Sequence, residues 1–124
     1  MTTDAGLHRN IHPNHYDHNS DQVTMEAFSA TGGEDYKLSV DCERVWSGKL
    51  SFSHRTVTLG KASMGVWTIP RSQVANLKIS ILADAIEGNP AHSLIEFPTN
   101  DKSRRRDIAR RLAALANTQA LSRI

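Results

Sequence analysis

Between Tyr36 and Phe97 the apolar residues of this 124-residue chain recur at every second position in short runs, and beyond Asn100 they recur every three or four. That single change of period constrains the fold most, because period two suits a half-buried strand and period 3.6 an amphipathic helix. Tyr36, Leu38 and Val40 share one face of the first run. Leu50 and Phe52 alternate with Ser51 and Ser53, Ser53-His54-Arg55 offers a tight turn, and Val57 and Leu59 alternate with Thr56 and Thr58. A hairpin over 50–59 is therefore expected. Val66 to Ile69, stopped by Pro70, is the next strand, with Trp67 and Ile69 expected to face the core together. Arg71 to Val74 reads as a short turn, Leu77 to Leu82 alternates again, and Gly88-Asn89-Pro90 turns the chain into a last strand from Ser93 to Phe97. Strands at hairpin spacing predict an antiparallel, meandering sheet.

Thr99 or Asn100 can then cap a helix, with Asp101 in its first turn. Ile108, Leu112 and Leu115 fall on one face at i, i+4 and i+7, flanked by Ala109 and Ala116. Leu121 lies off that stripe, so the helix is predicted to fray between Asn117 and Leu121 and to leave a tail over 119–124. The expected class is α+β: an antiparallel meandering sheet or half-open barrel of about six to seven strands, capped by one C-terminal helix.

Residues 1–33 read differently. They hold His, Asn, Asp and Pro13 without either period, and hydrophobic residues make up only 39% of the chain, below the usual share. This segment is expected to be a flexible polar His-rich leader, with Val23, Met25 and Phe28 as a short amphipathic turn or strand that docks on the body and Thr31-Gly32-Gly33 as a hinge. The folded domain is then expected over 34–118. Residues 1–45 carry three basic and eight acidic residues, net −5, and residues 46–124 carry twelve and five, net +7. An acidic head and a basic body attract each other, or the body has an anionic partner. Nothing approaches the ~20 apolar residues of a membrane span, and no secretory leader is read. A single Cys42 excludes an intramolecular disulfide, so a cytoplasmic, reducing compartment is expected.

Three stretches carry a family resemblance. Gly48-Lys49-Leu50-Ser51-Phe52 runs through a turn into Thr56-Val57-Thr58-Leu59; Trp67-Thr68-Ile69-Pro70-Arg71-Ser72-Gln73-Val74 follows; a strand pair and a terminal helix close the chain. Over about residues 34–118 this resembles the bacterial pleckstrin-homology-like domains, whose members include small proteins of uncharacterised function. The chain departs from the family's pattern in two places. Trp46 and Trp67 lie in the sheet region rather than in the closing helix, and Lys49 and Arg55 stand without the dense basic cluster that inositol phosphates need. The resemblance implies a half-open sheet serving as a binding or oligomerising platform without catalysis, and phosphoinositide binding does not come with it.

Candidate chemistry is confined to a few places. His8, His12, His15 and His18 are spaced four, three and three apart, which on a helix would present one metal-binding face. Pro13 opposes that helix, and the ordinary reading is a polar leader that binds metal weakly and adventitiously. Arg104, Arg105, Arg106, Arg110 and Arg111 crowd the last helix; Asp101 can pair with Arg105 and Asp107 with Arg111, leaving Arg106 and Arg110 unpaired. Such a row is either a solvated, protein-contacting face or a seat for phosphates, although no DNA- or RNA-reading motif accompanies it. Trp46, beside Ser47-Gly48, is the candidate contact residue. Cys42, Asp41 and His54, or Ser53 and His92, could meet in space, but no nucleophile signature surrounds them. No cofactor and no enzymatic activity are expected. The expected function is an interaction module that binds a protein partner or itself through a sheet edge or the basic helix, with nucleic acid or another polyanion on that helix as the alternative. A membrane surface is disfavoured, since no exposed aromatic or Leu residues are expected next to the arginines, as an interfacial helix requires.

Overall fold

In the computed structural model, which describes residues 5–29 and 36–124, the chain opens with a strand. This strand is β1 (Gly6–Ile11), and β2 (Tyr16–Asp17) and β3 (Gln22–Val23) form a small ribbon after it. Then come β4 (Lys37–Cys42), helix α1 (Gly48–Ser53), β5 (Gly65–Pro70), α2 (Arg71–Ala75), β6 (Ser80–Ala83), β7 (His92–Glu96), α3 (Lys102–Gln119) and β8 (Ser122–Arg123). Six of these strands make one antiparallel sheet in the order β6-β7-β4-β1-β5-β8, with no closure into a barrel. The class is α+β with a C-terminal helix, as the change of period predicts. The sheet does not meander, however: β1 is inserted between β4 and β5, and β8 returns to the far side of β5.

The first correction concerns the leader. Gly6–Ile11 is the strand with β4 on one side and β5 on the other, and Leu7 and Ile11 are fully buried. Tyr16, Val23, Ala27 and Phe28 join the same core. Composition concealed this because Arg9 sits between Leu7 and Ile11 on the core side. Its guanidinium is accommodated by two carbonyls, Ala27 O at 2.8 Å from Nε and Ser39 O at 2.9 Å from Nη1. A buried polar group is tolerated when it is hydrogen-bonded. The Thr31-Gly32-Gly33 hinge and Glu34 lie outside the described residues.

The second correction replaces the hairpin expected over 50–59. Ser47 caps α1, its side chain accepting from Leu50 N at 3.2 Å, and a π-helical turn continues it over His54–Thr58. Gly48 and Ser51, three apart, are the buried positions of α1, whereas Leu50 and Val57 are 53% and 77% exposed. The alternation was real in sequence but marks no core face. The third correction is the tail. Past α3 the chain extends again, with Leu121 N donating to Thr68 O at 2.7 Å and Ile124 N to Val66 O at 2.8 Å. Gly65 makes room for it: its φ is +148° and an added Cβ would lie 2.1 Å from the Ile124 carbonyl oxygen, so glycine is required there.

The core lies between one face of the sheet and α3. Alternation sends Leu7 and Ile11, Leu38 and Val40, Trp67 and Ile69, and Ile95 to that face. The expected pairing of Trp67 with Ile69 holds. Asp101 caps α3, its carboxylate accepting from Ser103 N at 3.0 Å, and Ala109, Leu112, Ala113 and Ala116 are the buried positions. The three alanines let the helix approach the 3₁₀ turn Met25–Phe28 and β5 closely. Ile108 and Leu115 flank the contact rather than centring it.

Candidate functional site

The face of the sheet away from α3 is polar. Pairing places His8 opposite both Asp41 and Thr68, Asp41 opposite His92, and Thr68 opposite Ser122. Five polar side chains thus form a row across five adjacent strands. Part of the row is a directed chain of hydrogen bonds. Ser122 Oγ donates to Thr68 Oγ1 at 3.0 Å, Thr68 Oγ1 lies 2.8 Å from His8 Nδ1, and His8 Nε2 lies 2.8 Å from the Trp46 carbonyl. A carbonyl only accepts, so Nε2 donates to Trp46 O, and in the neutral tautomer that this requires Nδ1 accepts from the Thr68 hydroxyl.

Over the neighbouring part of the row lies a cleft of about 210 Å³. Its floor is His8, Asn10, Ser39 and Asp41; His54, Arg55, Leu59 and Lys61 form one wall, and Ile86, Asn89 and His92 the other. The buried Asp41 carboxylate accepts from Ser51 Oγ at 2.6 Å and from Asn89 Nδ2 at 2.9 Å, and no cation lies within 4 Å of it among the described residues. Asn10 donates to Ser51 Oγ at 3.1 Å and accepts from Ser63 Oγ at 2.8 Å. His92 bonds Asp84 through Nδ1 and Ser39 Oγ, at 3.1 Å, through Nε2. The floor is satisfied internally. The helical wall is not: Arg55 Nε is buried without a hydrogen-bond partner among the described residues. Asp41 and His54 do line one cleft, but Asp41 holds the hydroxyl of Ser51 and not a group from Ser53 or Cys42.

The four histidines nominated by spacing do not converge. His8 belongs to the buried row, whereas His12 accepts from Asn14 N at 3.0 Å and its ring lies 5.6 Å from that of His15. His18 stands edge-on to Tyr16 at 5.0 Å. Among the described residues no group of three or more His, Cys, Asp or Glu could hold a metal. The pKa of His15 is lowered from 6.5 by burial first, then by His12 and Arg9, with Glu26 opposing. Its neutral form is favoured in the fold, so the unfolded chain takes up the proton first as pH falls, and stability declines below about 6.5. An NMR titration should place the His15 midpoint below that of an unfolded reference; an equal or higher midpoint would refute the assignment.

The arginines of α3 are largely engaged at home. Arg105 lies 4.0 Å over the Tyr36 ring and donates to the Asn100 carbonyl, so it does not pair with Asp101, which caps the helix instead. Arg111 at 3.0 Å and Arg110 at 3.4 Å share Asp107, which corrects the expectation that Arg110 stands alone. Arg104 and Arg106 are exposed and have no acidic partner within 4 Å among the described residues. Trp46 is half-buried and tilts over His54 at 5.0 Å, while its carbonyl holds His8. Sequence reasoning missed Asn10, Ser51, Arg55 and Asn89 as a group, because the partners of the other three lie up to 53 residues distant, Arg55 Nε has none among the described residues, and no local spacing joins the four. The one available signal was the alternation of Leu7-His8-Arg9-Asn10-Ile11.

No family model, curated protein or solved structure matches the chain, so what these surfaces do follows from their own chemistry.

Proposed function

We propose that the protein is a non-catalytic interaction module that takes a strand of a partner protein along the open edge of β6. The observation that carries this reading is the edge itself. β6 borders the sheet, and its residues Ser80-Ile81-Leu82-Ala83 include neither a charge nor a proline. Asp84 N donates to His92 O at 2.9 Å, and hydrogen-bonded pairs alternate along an antiparallel ladder, so Ile81 and Ala83 turn their backbone groups outward. Such edges invite strand addition, and natural sheets usually blunt them. The opposite edge, β8, is only two residues long. The pleckstrin-homology-like resemblance supports the same use, an open sheet and its helix acting as a platform.

Ala83→Pro tests this directly, because it removes an outward N–H while sacrificing little packing at an exposed residue. Affinity capture from a lysate should recover a protein with the wild-type chain, with or without nuclease, and lose it with Ala83→Pro. Retention by the variant overturns the reading. A second copy of the chain as the partner would show as concentration-dependent size exclusion, abolished by the same substitution. Capture that disappears with nuclease would favour a polyanion on α3 instead, a reading supported by the exposed Lys102, Arg104 and Arg106 beside the positive end of the helix dipole.

A further inference from the structure

We infer that the cleft between α1 with its π-helical turn and the β6–β7 connection binds a small oxyanion, a phosphate or carboxylate group, through Arg55, Lys61 and His54. The inference rests on an imbalance of hydrogen-bonding capacity. Every polar group of the floor has its partner: Asp41 is held by Ser51 and Asn89, Asn10 by Ser51 and Ser63, and His8 by Thr68 and Trp46 O. What remains on the helical wall is donors. Arg55 Nε is buried with no acceptor, the His54 ring nitrogens have no hydrogen bond, and Lys61 has no acidic partner within 4 Å, all among the described residues. An unmet buried donor is costly, and an arriving acceptor removes that cost. Two cations and an imidazole select an anionic acceptor, which forms the strongest hydrogen bonds with a guanidinium.

The size of the site narrows the ligand further. At about 210 Å³ the cleft is smaller than the ~300–1,000 Å³ of sites for drug-sized ligands, so it suits a small anion or one charged group with a short body. Leu59 and Ile86, both about half exposed, line the same cleft and offer that body an apolar contact. Arg55 Nε is shut off from water, although Arg55 as a residue is only half-buried and lines the cleft.

That nitrogen is what the test reads. The full ¹⁵N-labelled chain is titrated with inorganic phosphate at neutral pH, ionic strength being held constant with sodium chloride. The Arg55 Nε–H signal should shift saturably while those of Arg104 and Arg106 stay in place. Lys61→Gln, a change at an exposed residue that leaves the fold intact, should weaken binding at least tenfold, and Arg55→Gln should abolish it. A parallel titration with acetate separates the two sources: saturation by both anions assigns the oxyanion class at large, and saturation by one assigns that group. No saturable shift with either anion, shifts confined to α3, or unchanged affinity in Lys61→Gln would overturn the inference.

Discussion

A chain beginning at Glu34 should be unfolded. Removing the preceding residues takes away β1, which is bonded to β4 and β5 along both edges, and splits the sheet into β6-β7-β4 and β5-β8. It also empties the core of Leu7, Ile11, Val23 and Phe28, all buried to within 3%. At about 1.5–3 kcal/mol for each fully buried side chain, the four together contribute about 6–12 kcal/mol, comparable with the whole stability of a typical domain at about 5–15. Circular dichroism through a thermal ramp should give a flat trace for the truncated chain and a cooperative one for the full chain. A cooperative melt from residues 34–124 alone would show that the N-terminal strand is dispensable.

The two tryptophans should differ sharply when truncated. Trp67→Ala is expected to cost about 3–5 kcal/mol, the usual range for a buried aromatic, and to lower Tm by roughly 10–20 °C. Trp67 is 3% exposed and lies against two distant parts of the chain. Its ring lies 5.6 Å from that of Tyr16 and 4.5 Å from the Arg123 guanidinium, and Arg123 in turn donates to the Tyr16 hydroxyl at 2.9 Å. Trp46→Ala should cost only about 1 kcal/mol, because it removes a half-buried ring tilted over His54 and leaves the carbonyl that holds His8. Urea denaturation of both variants checks the contrast, and equal losses would mean that the Trp67 contacts do not act as described.

What was legible in the chain was the part governed by local period. The helix over 102–119, the turn at Gly88-Asn89-Pro90 and the inward face of Trp67 and Ile69 all follow from spacing and turn chemistry. The misses share a cause. β1 places Arg9, His8 and Asn10 inside the fold, which is tolerable only because their partners arrive from residues 18 to 60 positions away. Ser51 is buried and Leu50 exposed, the reverse of what hydropathy suggests, because Asp41 waits beneath α1 to receive the serine hydroxyl. The candidate site was illegible for the same reason: its chemistry resides in pairings between distant segments, and single side chains give no hint of them.

The position of β5 has a kinetic consequence. It is bonded on one side to residues 6–11 and on the other to residues 122–123, so His8 meets Thr68 across 60 residues and Arg123 meets Tyr16 across 107. Long loops must close before those contacts reward the closure, and chains dominated by such pairings fold in about milliseconds to seconds rather than microseconds. Apart from the β6–β7 hairpin, little of the sheet can form early. Until both flanking strands arrive, Trp67 and its neighbours on β5 present an unpaired apolar strand, the state in which this chain is most exposed to aggregation.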